Sequence, residues 1–341
     1  MKKSLMTLGV LALFVLMAYG QEKKFALYSV AFYNMENLFD TIQDEGKNDY
    51  EYLPNGTNQW NTMKYKAKLK NMSEILSMLS TDKLPMGPAI IGVSEIENYR
   101  VLEDILKQPA LADRGYQYVH YEGADQRGVD CAFFYNPKLF ELTNSKLVPY
   151  VYINDTVHKT RGFLIASGNI AGEKMHFIVN HWPSRAAASP ARERAGEQVR
   201  AIKDSLLRED SAAKIVIMGD MNDDPMDKSM AVALGAKRKP ADVGPTDLYN
   251  PWWDTLKKGY GTLMYKGKWN LFDQIVFTGN LLGTDRSTLK FYKHEIFRRD
   301  FMFQKEGKYK GYPKRTQAGG VWLNGYSDHL PTIIYLIKEV K

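Results

Sequence analysis

The sequence contains a single cysteine, Cys131, among 341 residues. One cysteine cannot form an intramolecular disulfide, so the folded chain must be stabilised by its hydrophobic core, even if it is exported. Cys131 lies within residues 129–135 (VDCAFFY), an apolar run with the character of a strand. This context predicts a buried and unreactive thiol.

The sequence also lacks internal repeats, low-complexity linkers and any change of composition that would mark a domain boundary. Segments with strand character are spread over the whole chain beyond its N-terminus. A chain of this size can bury a core large enough for one α/β domain. We therefore predict a single domain over residues 21–341.

The only long apolar stretch, residues 5–17, lies at the N-terminus, after two lysines and before small residues. This pattern predicts a secretory signal peptide over residues 1–20, with cleavage near Gly20–Gln21, and a periplasmic or secreted protein. The alternative is an uncleaved membrane anchor, but the stretch is shorter than the ~20 residues that span a bilayer.

Positively charged residues are in modest excess over negatively charged ones, and the formal net charge is +7. Such a surface favours anionic substrates through a weak field. Residues 290–315 stand out, because nine Lys or Arg and seven Phe or Tyr occur there against three acidic residues. This composition suits a nucleic-acid backbone with stacked bases. The alternatives are a solvated loop or hairpin with inward-packed aromatics, or, with exposed apolar residues nearby, a surface for a phospholipid substrate.

Strand-like segments outnumber helical ones. They cover residues 25–33, 89–93, 116–121, 129–135, 163–169, 175–180, 214–218, 273–277 and 332–337. Helix spacing of apolar residues occurs over 60–79 and 191–207. A single parallel sheet with alternating helices does not fit this order, whereas two sheets packed face to face with helices outside do.

Residues 219–225 (GDMNDDP) follow the apolar run 214–218 and raise the question of why a buried strand should end in so many carboxylates and amides. A simple turn is one explanation, and a functional site at the strand end is the other. An EF-hand calcium loop is excluded, because Pro225 and Ala231 occupy the positions that require Gly and Glu.

Polar residues follow or precede apolar strands at several other places. These are residues 33–39 (YNMENLF), 94–98 (SEIEN), 180–185 (NHWPSR), 327–331 (SDHLP) and Asp273 at the start of 273–277. Each has an ordinary structural explanation when taken alone. Together they suggest a site, because a divalent cation needs carboxylates such as Glu95 and Asp328, and a histidine held by a carboxylate can act on a phosphate.

This ordered set, from Asn34 to His329, resembles the endonuclease/exonuclease/phosphatase superfamily, which has the deoxyribonuclease-I-like fold. The most specific element is GDMN at residues 219–222 followed about a hundred residues later by SDH at 327–329. The resemblance covers nearly all of the chain beyond the predicted signal peptide. It implies a four-layer α/β/β/α sandwich of two mainly antiparallel sheets.

The resemblance also implies a metal site. Glu95 would be the principal Mg²⁺ ligand, with Asn34 beside it and Asp328 completing or adjoining the site. Mn²⁺ or Ca²⁺ remain possible in place of Mg²⁺.

Around the phosphate, the resemblance assigns further roles. Asp220 would orient or deprotonate the attacking water, and Asn222 would hold a phosphate oxygen. His329, paired with Asp273, would contact the scissile phosphate. His181 resembles a second histidine of the deoxyribonuclease and phospholipid-phosphodiesterase branches, and its place is usually tyrosine in abasic-site endonucleases. Arg127 is a candidate phosphate clamp with a weaker match.

The expected function is therefore an exported, metal-dependent phosphoester hydrolase, with a nuclease or phosphodiesterase favoured and nucleic acid as its partner. A phospholipid or sugar-phosphate hydrolase of the sphingomyelinase-like kind is the alternative. A catalytically silent binding protein on the same fold is a third hypothesis. No protein partner is inferred.

Overall fold

The computed structural model describes residues 23–153, 155 and 157–340, and the predicted signal peptide over residues 1–20 lies outside the described residues. The strands are β1 (Lys24–Leu38), β2 (Ile90–Ile96), β3 (Gln117–His120), β4 (Asp130–Tyr135), β5 (Glu141–Val148), β6 (Phe163–Ile170), β7 (Glu173–His181), β8 (Lys214–Asp220), β9 (Ala236–Lys237), β10 (Leu248–Tyr249), β11 (Leu263–Tyr265), β12 (Lys268–Asn270), β13 (Asp273–Thr278), β14 (Lys290–Ile296), β15 (Gln317–Ala318), β16 (Val321–Trp322) and β17 (Thr332–Val340). The α-helices are α1 (Thr62–Met78), α2 (Tyr99–Leu106), α3 (Ser189–Glu209) and α4 (Trp253–Lys257).

The strand and helix predictions are confirmed, since each predicted strand overlaps an observed one and the two predicted helices correspond to α1 and α3. Two longer strands were not predicted. β5 is largely exposed and polar, as an edge strand can be, and β14 belongs to the basic segment 290–315. α2 was also missed, because eight residues give too little periodicity for a helix to be recognised.

The strands form two large sheets in the described part of the chain. The first has the order β14-β17-β1-β2-β4-β3, and the second has the order β5-β6-β7-β8-β13-β10-β9. Neighbouring strands are antiparallel except for the pairs β1–β2, β7–β8 and β9–β10. The prediction of two mainly antiparallel sheets is therefore confirmed.

Alternation along the central strands builds the four layers. In β1, Val30 and Phe32 belong to the core between the sheets, whereas Ala31 and Tyr33 belong to the core shared with α1 and α2. β8 repeats this on the other sheet, with Val216 facing the inter-sheet core and its neighbours facing α3. Because successive side chains of a strand point to opposite faces, each sheet is covered on both sides. The result is the predicted α/β/β/α sandwich.

The sandwich brings the strand ends of both sheets to one edge. Asn34 near the end of β1 donates a hydrogen bond of 3.0 Å to Asp220 at the end of β8, which joins the first sheet to the second. Within the second sheet, His181, Asp220 and Asp273 are in register on the adjacent strands β7, β8 and β13. None of the helices among the described residues is long and apolar enough to span a bilayer.

Candidate active site

The backbone changes direction where the strands meet at this edge. Pairing between β1 and β2 shifts register after Asn34, and pairing between β2 and β4 shifts register between Ser94 and Ile96. Glu36, Glu95 and Asn222 adopt positive φ values of 46°, 57° and 51°. Bulges and left-handed residues of this kind re-aim side chains and often cluster at functional sites.

Gly219 allows β7 and β8 to end side by side. A Cβ atom on this residue would lie 2.3 Å from the backbone oxygen of Asn180 on β7. Any larger residue would push the two strand ends apart, and with them His181 and Asp220, which pair across the ladder. The glycine of the GDMN stretch therefore has a structural purpose that supports its polar neighbours.

Asn34 links two carboxylates of the site. Its amide nitrogen donates to Glu95 Oε1 at 3.2 Å and to Asp220 Oδ2 at 3.0 Å. Its oxygen accepts the backbone N–H of Glu36 at 2.8 Å, which fixes the orientation of the amide. In this arrangement, the nitrogen of Asn34 faces the carboxylates and its oxygen faces the backbone. Asn34 thus positions Glu95 and Asp220.

His329 is held by Asp273, and both residues are buried. Nδ1 of His329 lies 2.7 Å from Asp273 Oδ2, and Nε2 lies 3.9 Å from Asp220 Oδ2. Burial alone would lower the pKa of His329, but attraction by Asp273 and Asp220 outweighs it and raises the pKa well above its usual value. The imidazole is therefore an imidazolium near neutral pH.

Asp220 occupies the middle of the cluster. Its Oδ1 accepts the backbone N–H of Asn222 at 2.9 Å, while Oδ2 faces Asn34 and the two histidines. Burial raises the pKa of Asp220 to about 7, against the lowering effect of His329. A carboxyl with a pKa near the working pH is suited to accept a proton.

His181 differs from His329 in charge. Its Nε2 lies 3.6 Å from Glu95 Oε1 and 3.8 Å from Asp220 Oδ2, and its buried Nδ1 has no hydrogen-bond partner within the described structure. Burial, followed by repulsion from Arg161 and Arg127, lowers the pKa of His181 well below its usual value. His181 is therefore a neutral imidazole, and it can donate or accept a hydrogen bond without adding charge.

The remaining predicted residues lie around this cluster. Asn222 donates its side-chain amide to the backbone oxygen of Trp182 at 3.0 Å. The side chain of Arg127 is 51% exposed and lies 3.6 Å from Asp125, and its charge reaches His181. Asp328 Oδ1 lies 4.0 Å from His329 Nε2.

Sequence reasoning missed Arg161. Its guanidinium is buried between Asp125 Oδ2 at 3.0 Å and the backbone oxygen of Trp182 at 2.8 Å. The same backbone oxygen accepts from Asn222, so Arg161 helps to fix the position of that amide. Arg161 comes from a loop without a motif around it, and nothing in the sequence indicated its contact with this site.

A second missed group lies beside Asp328. Arg315 binds Glu36 Oε1 at 2.8 Å through Nε and Asp328 Oδ2 at 3.0 Å through Nη2. Burial would lower the pKa of Arg315, but Asp328, Glu36 and Glu95 raise it. Arg315 therefore lies in the field of three carboxylates at the edge of the site.

Lys68 on α1 also contacts Glu36, the carboxylate that binds Arg315. Its ammonium is fully buried, donates to Thr316 and to the backbone oxygen of Tyr326, and lies 3.8 Å from Glu36 Oε2. Burial lowers the pKa of Lys68 and raises that of Glu36, and the opposite charge of each partner offsets the shift. The sequence could have indicated that Lys68 is buried, because it lies one helical turn from Met72 on the apolar face of α1.

The cluster has the donors for a divalent cation. Glu95, His181 and Asp220 offer ligand atoms that all lie within 4.8 Å of one another, and so do Asp220, Asp273 and His329. The first set is rich in carboxylate oxygen, which suits Mg²⁺, whereas Asp328 belongs to neither set and binds Arg315 at 3.0 Å. The residues therefore fit a hard cation held by carboxylates.

A cleft of about 830 Å³ adjoins the cluster. Glu36, Arg315 and Asp328 line its inner end, and the hairpin of β11 and β12 together with residues 304–320 forms its outer wall. We refer to this cavity as the cleft. Of the predicted site residues only Asp328 lines the cleft, so the cleft borders the cluster at Asp328 and has room there for a ligand much larger than a phosphate group.

The basic segment 290–315 divides into two parts. Residues 290–296 form β14, an edge strand paired with β17, and residues 304–315 extend along the cleft. The second part keeps the basic and aromatic character from which nucleic-acid binding was expected, and that binding stays a prediction. Phe297 is buried in the core, as the inward-packing alternative requires, whereas Tyr309 is exposed at the cleft.

Comparisons with known proteins agree with this architecture. The sequence model of the "Endonuclease/Exonuclease/phosphatase family" matches residues 29–338. No curated protein matches the sequence significantly.

Solved structures similar to this chain include three with low sequence identity. An endonuclease/exonuclease/phosphatase family protein from Bacteroides thetaiotaomicron has 15% identity and a TM-score of 0.58, with 93% of this chain and 97% of that chain covered. A mannosyl-6-phosphatase from the same species has 14% identity and a TM-score of 0.56, with 91% and 99% covered. D. rerio TDP2, complexed with a single-strand DNA product, has 15% identity and a TM-score of 0.53, with 91% and 99% covered.

These likenesses establish the fold, and the family match extends over most of the sequence. The site lies at the strand ends, and these carry the motifs in the order expected for that family. The chain therefore belongs to the endonuclease/exonuclease/phosphatase family.

Proposed function

We propose that the protein hydrolyses phosphate esters with the aid of a divalent cation. The observation that carries this proposal is the position of Asp220, which lies between the His329–Asp273 pair and the Asn34–Glu95 pair. A single buried site thus contains a proton acceptor, a cation and carboxylates that can bind a metal. These are the groups that water attack on a phosphate requires.

His329 is the cationic group of the proposed site. Because its pKa is raised, the imidazolium can donate a hydrogen bond from Nε2 to a phosphate oxygen. Charge accumulates on those oxygens in the transition state, and a preorganised donor stabilises it more than it stabilises the substrate. Asp273 keeps the ring oriented and charged.

Asp220 is the proposed base for the attacking water, with a pKa raised to about 7 by its burial. Asn222 and His181 would contact the phosphate as neutral groups. His181 adds no charge because its pKa is lowered. Arg127 remains a candidate phosphate clamp, since half of its side chain is exposed.

Glu95 and Asp328 would hold the cation, with Asn34 positioning Glu95. A bound Mg²⁺ supplies Lewis-acid neutralisation of the phosphate charge, and Mn²⁺ or Ca²⁺ could take its place.

Nucleic acid is the favoured substrate class. The basic and aromatic residues 304–315 at the cleft support it, and TDP2 in the similar structure holds a DNA product. The similar mannosyl-6-phosphatase supports a sugar phosphate as the second candidate. A phospholipid is a weaker candidate, because lysines interrupt the exposed aromatic residues of the outer wall. The predicted signal peptide would deliver the enzyme to the periplasm or the exterior.

The test is hydrolysis by the protein with Mg²⁺ or with EDTA. Plasmid DNA, bis-p-nitrophenyl phosphate, p-nitrophenyl phosphate, mannose 6-phosphate and sphingomyelin would be compared side by side. Metal-dependent cleavage of DNA and of the small diester is the expected result. Turnover confined to a monoester or to the lipid would reassign the substrate, and no turnover of any of the five would refute the proposal in favour of a silent binding protein.

A further inference from the structure

We propose that the cleft and a neighbouring basic cavity bind a single-stranded nucleic acid, with unpaired bases against the tyrosines of the cleft and the backbone along the basic cavity. The inference rests on the proposed function, because it places the strand beside the residues that would cleave it. It specifies where the substrate strand runs on the protein. It also predicts that unpaired nucleic acid binds more tightly than a duplex.

Two tyrosines of the cleft are exposed. Tyr265 is 63% exposed and Tyr309 is 48% exposed, and both line the cleft. A lysine ammonium lies over each ring, with Lys266 at 5.3 Å from the first ring centroid and Lys308 at 5.5 Å from the second. An aromatic face beside a cation suits a nucleotide, because the base can stack while the phosphate meets the charge.

The outer wall is held together by a contact between its two parts. The hydroxyl of Tyr312 accepts a hydrogen bond of 2.6 Å from the backbone N–H of Gly267, in the turn between β11 and β12. The ring of Tyr312 also packs edge-on against Tyr309, with centroids 5.4 Å apart. Tyr265 and Tyr309 are therefore connected through one hydrogen bond and one ring contact. A wall that is already assembled loses less conformational freedom when a ligand binds.

A second cavity, here called the basic cavity, continues from the cleft. It has a volume of about 420 Å³, and Gln304 lines both cavities. Its charged residues are Arg298, Arg299, Lys305 and Lys310, with Asp300 as the one acidic residue. Across residues 23–153, 155 and 157–340, none of these four basic residues forms an ion pair. A group of cations without ion-paired partners favours a polyanion over a single phosphate.

The tyrosines of the cleft should also favour single-stranded over double-stranded nucleic acid. Tyrosine rings can stack only on bases that are unpaired and unstacked, and a duplex hides those faces. A cleft of about 830 Å³ lies within the range of roughly 300 to 1,000 Å³ that holds small ligands and strand segments. A sugar monophosphate would engage the cleft but leave the basic cavity without a ligand.

The test measures binding of a fluorescein-labelled oligothymidylate by anisotropy in EDTA, where no hydrolysis interferes. Replacing both rings, Tyr265→Ala with Tyr309→Ala, should weaken binding about tenfold or more, because stacking contributes to each base. Tyr265→Phe with Tyr309→Phe keeps the rings and should bind like the unchanged protein. Tyr292→Ala, which removes an exposed tyrosine of β14 outside both cavities, is the control.

The basic cavity has its own variant. Lys305→Gln with Lys310→Gln should reduce the slope of log affinity against log salt by about 1.4, since each neutralised phosphate of a single strand contributes about 0.7. Lys66→Gln with Lys70→Gln on the exposed face of α1 removes the same charge elsewhere and should leave the slope nearly unchanged. Turnover of bis-p-nitrophenyl phosphate should stay the same in the two control variants, Tyr292→Ala and Lys66→Gln with Lys70→Gln, whose residues line neither cavity.

The outcomes separate this inference from the proposed function. Failure of the unchanged protein to hydrolyse the small diester refutes the catalytic proposal, whereas the binding measurement does not depend on turnover. Normal oligothymidylate binding by the double alanine variant would overturn the inference, and so would duplex binding as tight as single-strand binding. Equal loss of diester turnover and oligonucleotide binding would also overturn it, because it would show a structural role for the wall.

Discussion

Nδ1 of His329 lies 2.7 Å from Oδ2 of Asp273, and the other oxygen of this fully buried carboxylate has no hydrogen-bond partner among the described residues. Asp273 begins β13 of the second sheet. His329 lies two residues after Ser327, whose hydroxyl donates a hydrogen bond of 2.8 Å to the backbone oxygen of Asn34 on β1 of the first sheet. One hydrogen bond thus couples the two sheets across the catalytic edge. Asp273 is also the strongest of the attractions that raise the pKa of the imidazole, which faces Asp220.

Removing the imidazole should abolish most of the activity. We expect His329→Ala to lower kcat by at least about a hundredfold, because loss of a single preorganised donor to a developing oxyanion costs about 2.7 to 4 kcal/mol of barrier. His176→Ala is a control, since this histidine lies in the second sheet and bonds to Ser167. The measurement is turnover of the best substrate, with circular dichroism to verify folding. Near-normal turnover by folded His329→Ala would remove this residue from the mechanism.

Glu95 should determine the response to metal. We expect EDTA to abolish turnover, and Glu95→Gln to lower activity by at least about a hundredfold, because the principal carboxylate ligand is lost. The measurement is a titration of rate against Mg²⁺ concentration. Glu74→Gln on the outer side of α1 should behave like the unchanged protein. If the glutamine variant and the unchanged protein responded alike to Mg²⁺, Glu95 would not be a ligand.

The charge on His329 should also affect stability. Its folded-state pKa is raised above the unfolded value of about 6.5, so its stabilising contribution is complete below that pH and is lost as the pH rises through the folded-state pKa. In Asp273→Asn the main attraction is gone, and burial then lowers this pKa. The difference in unfolding free energy between the unchanged protein and Asp273→Asn should therefore be largest near pH 6 and shrink toward alkaline pH.

Urea unfolding in EDTA at several pH values would measure this difference. The matched comparison is the same Asp273→Asn substitution in a His329→Gln background, where no imidazole remains to titrate. There the effect of the substitution should be nearly independent of pH between 6 and 9. A pH-dependent effect of equal size in both backgrounds would assign the titration to another group.

The sequence predicted the parts of this molecule that depend on local pattern. Apolar runs located the central strands, and polar residues at their ends indicated an edge, where Glu95 and Asp220 both contact Asn34. The roles of these residues stay predictions. β5 and β14 were not recognised, since edge strands need no continuous apolar face and their polar residues read as loops.

Long-range contacts account for what the sequence did not reveal. Arg161 reaches the site only because a loop without a motif places it against Asp125 and Trp182. Residues 290–315 have one composition but two structural roles, because pairing with β17 ends at residue 296. Periodicity and composition describe neighbours along the chain, and neither could indicate which side chains would meet across the two sheets.

The buried pair of Lys68 and Glu36 leads to a prediction about the stability of the fold and not about catalysis. Lys68→Met removes one charge and leaves Glu36 buried with Arg315 as its remaining cationic contact. Breaking a buried pair by removing one partner costs about 3 to 5 kcal/mol where the remaining charge is left uncompensated. Because Arg315 still binds Glu36 and the acceptors on Thr316 and Tyr326 lose their donor, we expect Lys68→Met to lower the free energy of unfolding by about 1 to 3 kcal/mol. Lys70→Met, on the exposed face of the same helix, should change it by less than about 0.5 kcal/mol.

Replacing both partners distinguishes an ionic pair from a packing role. In Lys68→Met with Glu36→Gln the buried carboxylate charge that Lys68 helped to offset is gone, so the double variant should be more stable than Lys68→Met alone. The measurement is a double-mutant cycle from urea unfolding in EDTA. Additive effects of the two substitutions would mean that no ionic coupling exists across the 3.8 Å between the ammonium and the carboxylate. Coupling would show instead that α1 positions the segment carrying Arg315 and Asp328 through a charge contact, because Glu36 joins Lys68 to Arg315.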